Sequence, residues 1–254
     1  MPRQGARSVE EIGPFTLFHR PWQPSYARPT LGRSEFTTED IARVAERQRA
    51  LGLAEDFEWV KQTTPALGAV LDAAGFEVSE HPVMLLGELR RVAAHGVMIR
   101  LTTEDDDASL LGAVAEVAFG SPGTASGPQG VDEMLVRAVA KPPDPAASAY
   151  EREQRRTARS VSAVALVAGQ PVGTGAHQPL GGVSEIVGVG VLPAFRRRGI
   201  GAALTAFLAH DALERGVETV FLSAGDEAIG RVYERVGFQR VATACTAEAR
   251  RSSR

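Results

Sequence analysis

Val189-Gly190-Val191-Leu192-Pro193-Ala194-Phe195-Arg196-Arg197-Arg198-Gly199-Ile200-Gly201-Ala202-Ala203-Leu204 is the stretch from which the rest of the chain is read. An apolar run of β type stops at Pro193. Three arginines follow, and Gly-x-Gly then opens a helix. A helix start exposes N–H groups that have no intrahelical partner, at the positive end of the helix dipole. Glycines there place no side chain in the way of an anion. The pattern predicts a phosphate site on the backbone of Arg196, Arg197, Arg198, Gly199, Ile200, Gly201 and Ala202, with the arginines adding charge-assisted hydrogen bonds.

Composition narrows the classes. The 254 residues allow one large domain or two modest ones. A net charge of −3 argues against a general nucleic-acid binder, which would be basic. The single Cys245 excludes an intrachain disulfide and a cysteine-built zinc site, and no metal is expected. Residues 1–13 carry no apolar signal core, and no run is long enough to span a membrane. A soluble, cytoplasmic protein without a membrane or nucleic-acid partner is the expectation, acting as a monomer or homodimer.

The chain divides near residues 91–96, giving an expected first part over 1–95 and a second over 96–254. In the second part, residues 97–101 read as a strand. Thr103 is positioned to cap a helix from Glu104 whose apolar face is Leu110, Leu111, Val114, Val117 and Ala118. Residues 120–130 are rich in Gly, Ser and Pro and read as a mobile loop. A helix over 134–140 is broken by Pro142, Pro143 and Pro145, and a polar helix follows to Thr157. Residues 160–168, 171–177 and 183–191 read as a strand meander with a tight turn at Gly169-Gln170. A helix over 199–215, a strand over 218–223, a helix over 226–236 and a strand over 238–246 complete the part. Asp226 is a good N-cap, Ile229, Val232, Tyr233 and Val236 form one stripe, and Gly237 supplies the C-cap.

These residues resemble the GNAT superfamily of acetyl-coenzyme A-dependent N-acetyltransferases. One family signature is a strand ending in V-x-P followed by R/Q-x-x-G-x-G/A, matched by Val191, Pro193, Arg196, Gly199 and Gly201. The other is a helix carrying a tyrosine and followed by Gly-Phe, matched by Tyr233, Gly237 and Phe238. The resemblance covers about residues 97–246. It implies an α/β fold with a mixed, mostly antiparallel central sheet flanked by helices. It implies acetyl-coenzyme A as cosubstrate, its pyrophosphate held by the turn from Arg196 to Ala202. Its pantetheine arm and acetyl carbonyl would lie along the backbone of Val189 and Val191. Tyr233 falls where the family places the acid that protonates the departing thiolate, and Glu185 where it often places a general base. The acceptor implied is a small-molecule or peptide amine. Strict alternation would put Glu185, Val187, Val189 and Val191 on one face of their strand.

The chemistry gives those residues work to do. An amine with a pKa of ~10.4 is neutral in about one molecule per few thousand at pH 7, so a carboxylate that takes its proton assists attack. The developing oxyanion needs a backbone donor, for which Val189 is the candidate. Direct transfer in a ternary complex is expected, since Cys245 lies beyond the motifs. Two readings compete: an acyl-coenzyme A-binding sensor without turnover, and a dinucleotide-binding oxidoreductase. Against the oxidoreductase, Pro193 to Arg198 separates strand from glycine, and Leu204 holds the third glycine position. His177 is an alternative base at a strand end.

Shifting the chain by 162 residues places Gly75-Phe76 on Gly237-Phe238. Leu67, Val70, Leu71 and Ala74 then fall on Ile229, Val232, Tyr233 and Val236, and Thr64, a candidate N-cap before Pro65, falls on Asp226. The helix over 38–51 falls on the one over 200–214. The first part therefore reads as a truncated GNAT-like half. Thr37 and Glu39 occupy its glycine positions and Leu71 its tyrosine position, so it is expected to hold no coenzyme. Ahead of it, Phe15, Phe18, Trp22 and Tyr26, on a strand and a Pro-interrupted segment, suit packing or the wall of an acceptor site.

Overall fold

The computed structural model describes residues 8–19, 25–141 and 144–250; Trp22, Pro142 and Pro143, with the expectations resting on them, lie outside that set. The elements, in chain order, begin with β1 (Ser8–Ile12), β2 (Phe15–His19), β3 (Ala27–Pro29), α1 (Thr38–Ala50), β4 (Asp56–Val60), α2 (Leu67–Ala73) and β5 (Phe76–Leu86). They continue with β6 (Met98–Leu101), α3 (Ala108–Phe119), α4 (Val131–Ala140), α5 (Pro145–Arg156), β7 (Val161–Val167), β8 (Gln170–Leu180) and β9 (Val183–Val191). The last are α6 (Ile200–Glu214), β10 (Thr219–Ser223), α7 (Glu227–Glu234) and β11 (Phe238–Ala249). Two compact units result: Met1–Pro82 with Ala242–Arg254, and Val83–Val241. The chain passes from one unit to the other within β5 and again within β11.

In the first unit β1, β2 and β3 pair antiparallel in that order, and β3 meets β4 in parallel at Ala27 and Phe57. The far edge of β4 is covered, antiparallel, by residues 244–248 of β11. Helix α1 buries Ile41, Val44, Ala45 and Gln48, an i, i+3, i+4, i+7 stripe. The core is aromatic: Phe57 stands edge-on to Phe15 at 5.4 Å and to Phe76 at 5.2 Å between ring centroids. Helix α2 begins at Leu67 behind Ala66, without a side-chain cap, so Thr64 does not cap it. Instead Thr64 is buried, and its N–H turns back to the carbonyl of Val60.

In the second unit the strand order is β5-β10-β9-β8-β7-β6, antiparallel throughout except for β9 with β10. The fold is α/β with a mostly antiparallel sheet flanked by helices, as the sequence implies. The β7–β8 turn is Ala168-Gly169, one residue ahead of the expected pair, and both residues have positive φ (48° and 79°). That is the twist a two-residue hairpin turn requires. Helix α3 starts four residues later than expected. Asp107, not Thr103, caps it by accepting from the N–H groups of Ser109 and Leu110. The preceding carboxylate, Asp106, is taken by Arg100 and by the Thr103 N–H, which fixes a turn where a helix was expected. Pro145 opens α5 rather than ending a break, behind the cap Asp144.

Candidate active site

The site begins where two parallel strands part. β10 pairs with β9 from Val183 to Ile186 and no further. β9 runs on to Val191 with only β8 beside it, which leaves one edge of its outer half open. In that half the register slips: β8 offers Gly175 where β9 carries Gly188 and Val189, and Gly188 has a φ of +64°. This bulge changes the expected alternation. His177 and Gly175 lie on the α6 side of β8, since His177 bonds Asp211 and a Cβ on Gly175 would touch Leu204 and Leu208. Ile186 opposite His177 and Val191 opposite Gly173 therefore share that side although five residues separate them. Glu185 and Val187 face one way, Val189 and Val191 the other.

Past β9 the chain makes a 3-10 turn at Pro193–Phe195 and enters α6 through two left-handed residues, Arg197 (φ +62°) and Gly199 (φ +78°). Arg197 pays a conformational cost of about 1–2 kcal/mol there, and such outliers cluster at ligand sites. The α6 ladder starts with the Ala203 N–H on the Gly199 carbonyl, so the N–H groups of Ile200, Gly201 and Ala202 precede it. Gly199 needs to be glycine for its φ. Gly201 does not need to be glycine for the fold: a Cβ there would meet only Val191 Cγ2, at an ordinary 3.8 Å. A glycine inside a helix costs up to about 1 kcal/mol relative to alanine. Packing leaves that cost unexplained.

The three arginines diverge. Arg196 turns inward, and its guanidinium donates to the carbonyls of Val191, Ala118, Ser121 and Ala125 at 2.7–3.2 Å. Its N–H donates to the Pro193 carbonyl. Arg196 lines the cleft, but four of its five guanidinium donors go to these carbonyls and not toward the cleft where a phosphate was expected. Arg197 lines the cleft, whereas Arg198 stacks over the Phe195 ring at 5.4 Å and is absent from the lining.

Tyr233 projects from α7, which Asp226 caps through the Ile229 N–H. Its ring is 8% exposed and packs edge-on to Phe238. Among the described residues no group hydrogen-bonds its hydroxyl, and the side chain lines the cleft. Burial alone pushes its pKa up to about 12. At the end of α7, Gly237 has no substitute: a Cβ would stand 2.0 Å from the Glu88 carbonyl. Glu185 lines the same cleft from the last paired stretch of β9.

His177 is excluded as a base by its surroundings. It has no exposed surface, Nδ1 meets Ser184 Oγ at 2.9 Å, and Nε2 meets Asp211 Oδ2 at 2.8 Å. Arg215 holds Asp211 from the next turn of α6. The arrangement ties the β8–β9 hairpin to α6 and lies away from the cleft.

Together these parts line a cleft of about 830 Å³. Its walls are the open half of β9, the turn from Arg197 to Ala202, the start and exposed face of α7, and residues 118–124 after α3. That last wall gave no chemical signal in the sequence beyond its loop composition.

Residues 131–238 match the acetyltransferase (GNAT) family. Among curated proteins, none matches the chain. Solved structures with the same fold include a GCN5-related N-acetyltransferase from Kribbella flavida, 24% identical, with a TM-score of 0.69 over 98% of this chain and 93% of that one. A GCN5-related N-acetyltransferase from Sphaerobacter thermophilus is 19% identical, with a TM-score of 0.62 over 94% of this chain and 78% of that one. A tandem GNAT protein from the clavulanic acid biosynthesis pathway is 17% identical, with a TM-score of 0.56 over 94% and 79%. The two halves read from the sequence fit the tandem arrangement.

Proposed function

We propose that this chain, whose residues 131–238 form a GNAT-type acyltransferase domain, transfers an acetyl group from acetyl-coenzyme A to a primary amine. The observation that carries the proposal is Gly201: it lines the cleft at the start of α6 and is glycine although the fold has room for a side chain there. The N–H groups of Ile200, Gly201 and Ala202, with Arg197 and Gly199 in the turn before them, would hold the pyrophosphate, while Arg198 stays on Phe195 outside the lining. The open edge at Val189 and Val191 offers backbone groups to an extended arm, as an added strand would use them. When bound, acetyl-coenzyme A supplies an activated acyl thioester.

The chain's own residues do the rest. Glu185 takes a proton from the incoming amine, directly or through water. The Val189 backbone stands in the bulge as the donor for the acyl oxygen. Tyr233 keeps its proton at neutral pH. With a pKa near 12, above the ~8.5 of an ordinary thiol, it donates a hydrogen bond to the leaving sulfur rather than giving its proton away. Cys245 is not a nucleophile in this scheme: it belongs to the first unit and is buried, and burial pushes its thiol pKa up.

Gly201→Ala tests the proposal in two directions at once. Thermal unfolding should shift upward, by the equivalent of up to about 1 kcal/mol, while calorimetric titration should show coenzyme A bound at least tenfold more weakly. Unchanged coenzyme A affinity would remove the turn from the binding site. Thiol release from acetyl-coenzyme A with primary amines then separates an enzyme from a sensor, which would bind without turnover.

A further inference from the structure

Arg196 has the first position of the R-x-x-G-x-G pattern, and its guanidinium is turned to protein carbonyls. Its four acceptors are neutral backbone carbonyls drawn from two segments far apart in sequence. Ala118 lies at the C-terminal end of α3, where carbonyls lack the regular i+4 partner and the helix dipole is negative; its carbonyl takes only a long bond from the Ser121 N–H besides Arg196. Helix α3 carries no basic residue in its own last turn. Arg196 supplies that charge, and its planar fork spreads the donors over three nitrogens, Nε to Val191, Nη1 to Ala125 and Nη2 to Ala118 and Ser121, a spread that a single ammonium cannot reproduce.

The same loop is tied to the turn twice more. The Gly127 N–H donates to the Pro193 carbonyl, and the Ala194 N–H donates to the Gln129 carbonyl. A Cβ on Gly127 would stand 3.1 Å from Pro193 Cβ, so the two backbones are in close contact. The segment that reads as a mobile loop is held against the turn that opens α6, and its residues Ser121, Pro122, Gly123 and Thr124 form one wall of the cleft.

We propose that Arg196 is a positioning residue: it fixes the 118–125 wall and, through it, the seat of the amine acceptor, and it does not bind phosphate. The acceptor half of this statement rests on the acyl-transfer reading above; the structural half does not. Hydrogen–deuterium exchange on the full chain without ligand tests the structural half. The amides of Gly120, Ser121 and Gly127 are the reporters, because each is bonded within or across the wall. Arg196→Ala and Arg196→Lys should both raise exchange there at least tenfold, with β7 and β8 unchanged. Coenzyme A should bind both variants within threefold of the parent. In the thiol-release assay with a primary amine, the amine KM should rise tenfold or more while the acetyl-coenzyme A KM moves less than threefold. Rescue by lysine, unchanged exchange in the wall, or a tenfold loss of coenzyme A affinity with the wall intact would each overturn the proposal. Failure of the parent protein to bind coenzyme A would instead break the acyl-transfer reading and leave the exchange result standing.

Discussion

Helices α1 and α6 start at equivalent places in the two halves and treat their N-termini in opposite ways. At α1, Thr37 accepts from the Asp40 N–H, and the Asp40 carboxylate accepts from the Thr37 N–H: a closed capping box. The helix satisfies its own exposed donors and places an internal anion where an external one would go. At α6 the cap is a left-handed glycine with no side-chain bond, and the donors of Ile200, Gly201 and Ala202 are left for something else. The difference extends to the neighbouring elements. β3 ends two residues beyond its pair with β4, whereas β9 continues from Ile186 to Val191 as an open edge. Leu71 is fully buried in α2, whereas Tyr233 in α7 lines the cleft with a hydroxyl that no described residue bonds. One architecture is closed by packing in the first half and left open in the second, and three local changes distinguish the two.

The comparison can be broken most forcefully at the tyrosine. Tyr233→Phe should lower turnover by about 10²-fold with coenzyme A affinity unchanged, while Leu71→Met should change neither. Equal turnover in Tyr233→Phe would take Tyr233 out of the mechanism. A smaller effect separates the halves by pH. His177 is the only histidine among the described buried residues and lies in the second unit. Burial, first, holds its pKa below the ordinary value; Asp211 opposes this and Arg215 adds to it. The folded chain thus prefers the neutral ring. Its contribution is complete above the unfolded pKa of about 6.5 and is lost as pH falls toward the folded value. Urea midpoints at pH 7.5 and 5.5 should show this loss, and His177→Gln should flatten it; an equal acid slope in the variant would refute the assignment. The smallest effect is at the closed cap: Thr37→Ala should cost about 1 kcal/mol of stability and leave coenzyme A binding alone. A change in coenzyme A binding would show that the first half takes part in the site.

Much of this contrast is legible in the sequence, for a physical reason. Caps, glycine turns and amphipathic stripes act over four to eight residues, so Asp226, Gly199 and the stripe of Ile229, Val232, Tyr233 and Val236 declare themselves locally. What escapes is set by competition or by distance. Thr103 reads as a cap because nothing local reveals that Arg100 and Asp106 will lock the turn around it. The face of Val189 is lost because one extra residue at Gly188 reverses the alternation beyond it. The surroundings of Arg196 are invisible because Ala118, Ser121 and Ala125 lie 71–78 residues away. The pairing of β4 with β11 and of β10 with β5 depends on strands contributed by the opposite half of the sequence.

The central claim is that of two similar halves only the second binds coenzyme. Calorimetric titration of coenzyme A into the full chain measures it directly, with Gly201→Glu and Glu39→Gly alongside. One site per chain, lost in Gly201→Glu and unaltered in Glu39→Gly, is the predicted result. Two sites per chain, or binding that survives Gly201→Glu, would contradict it.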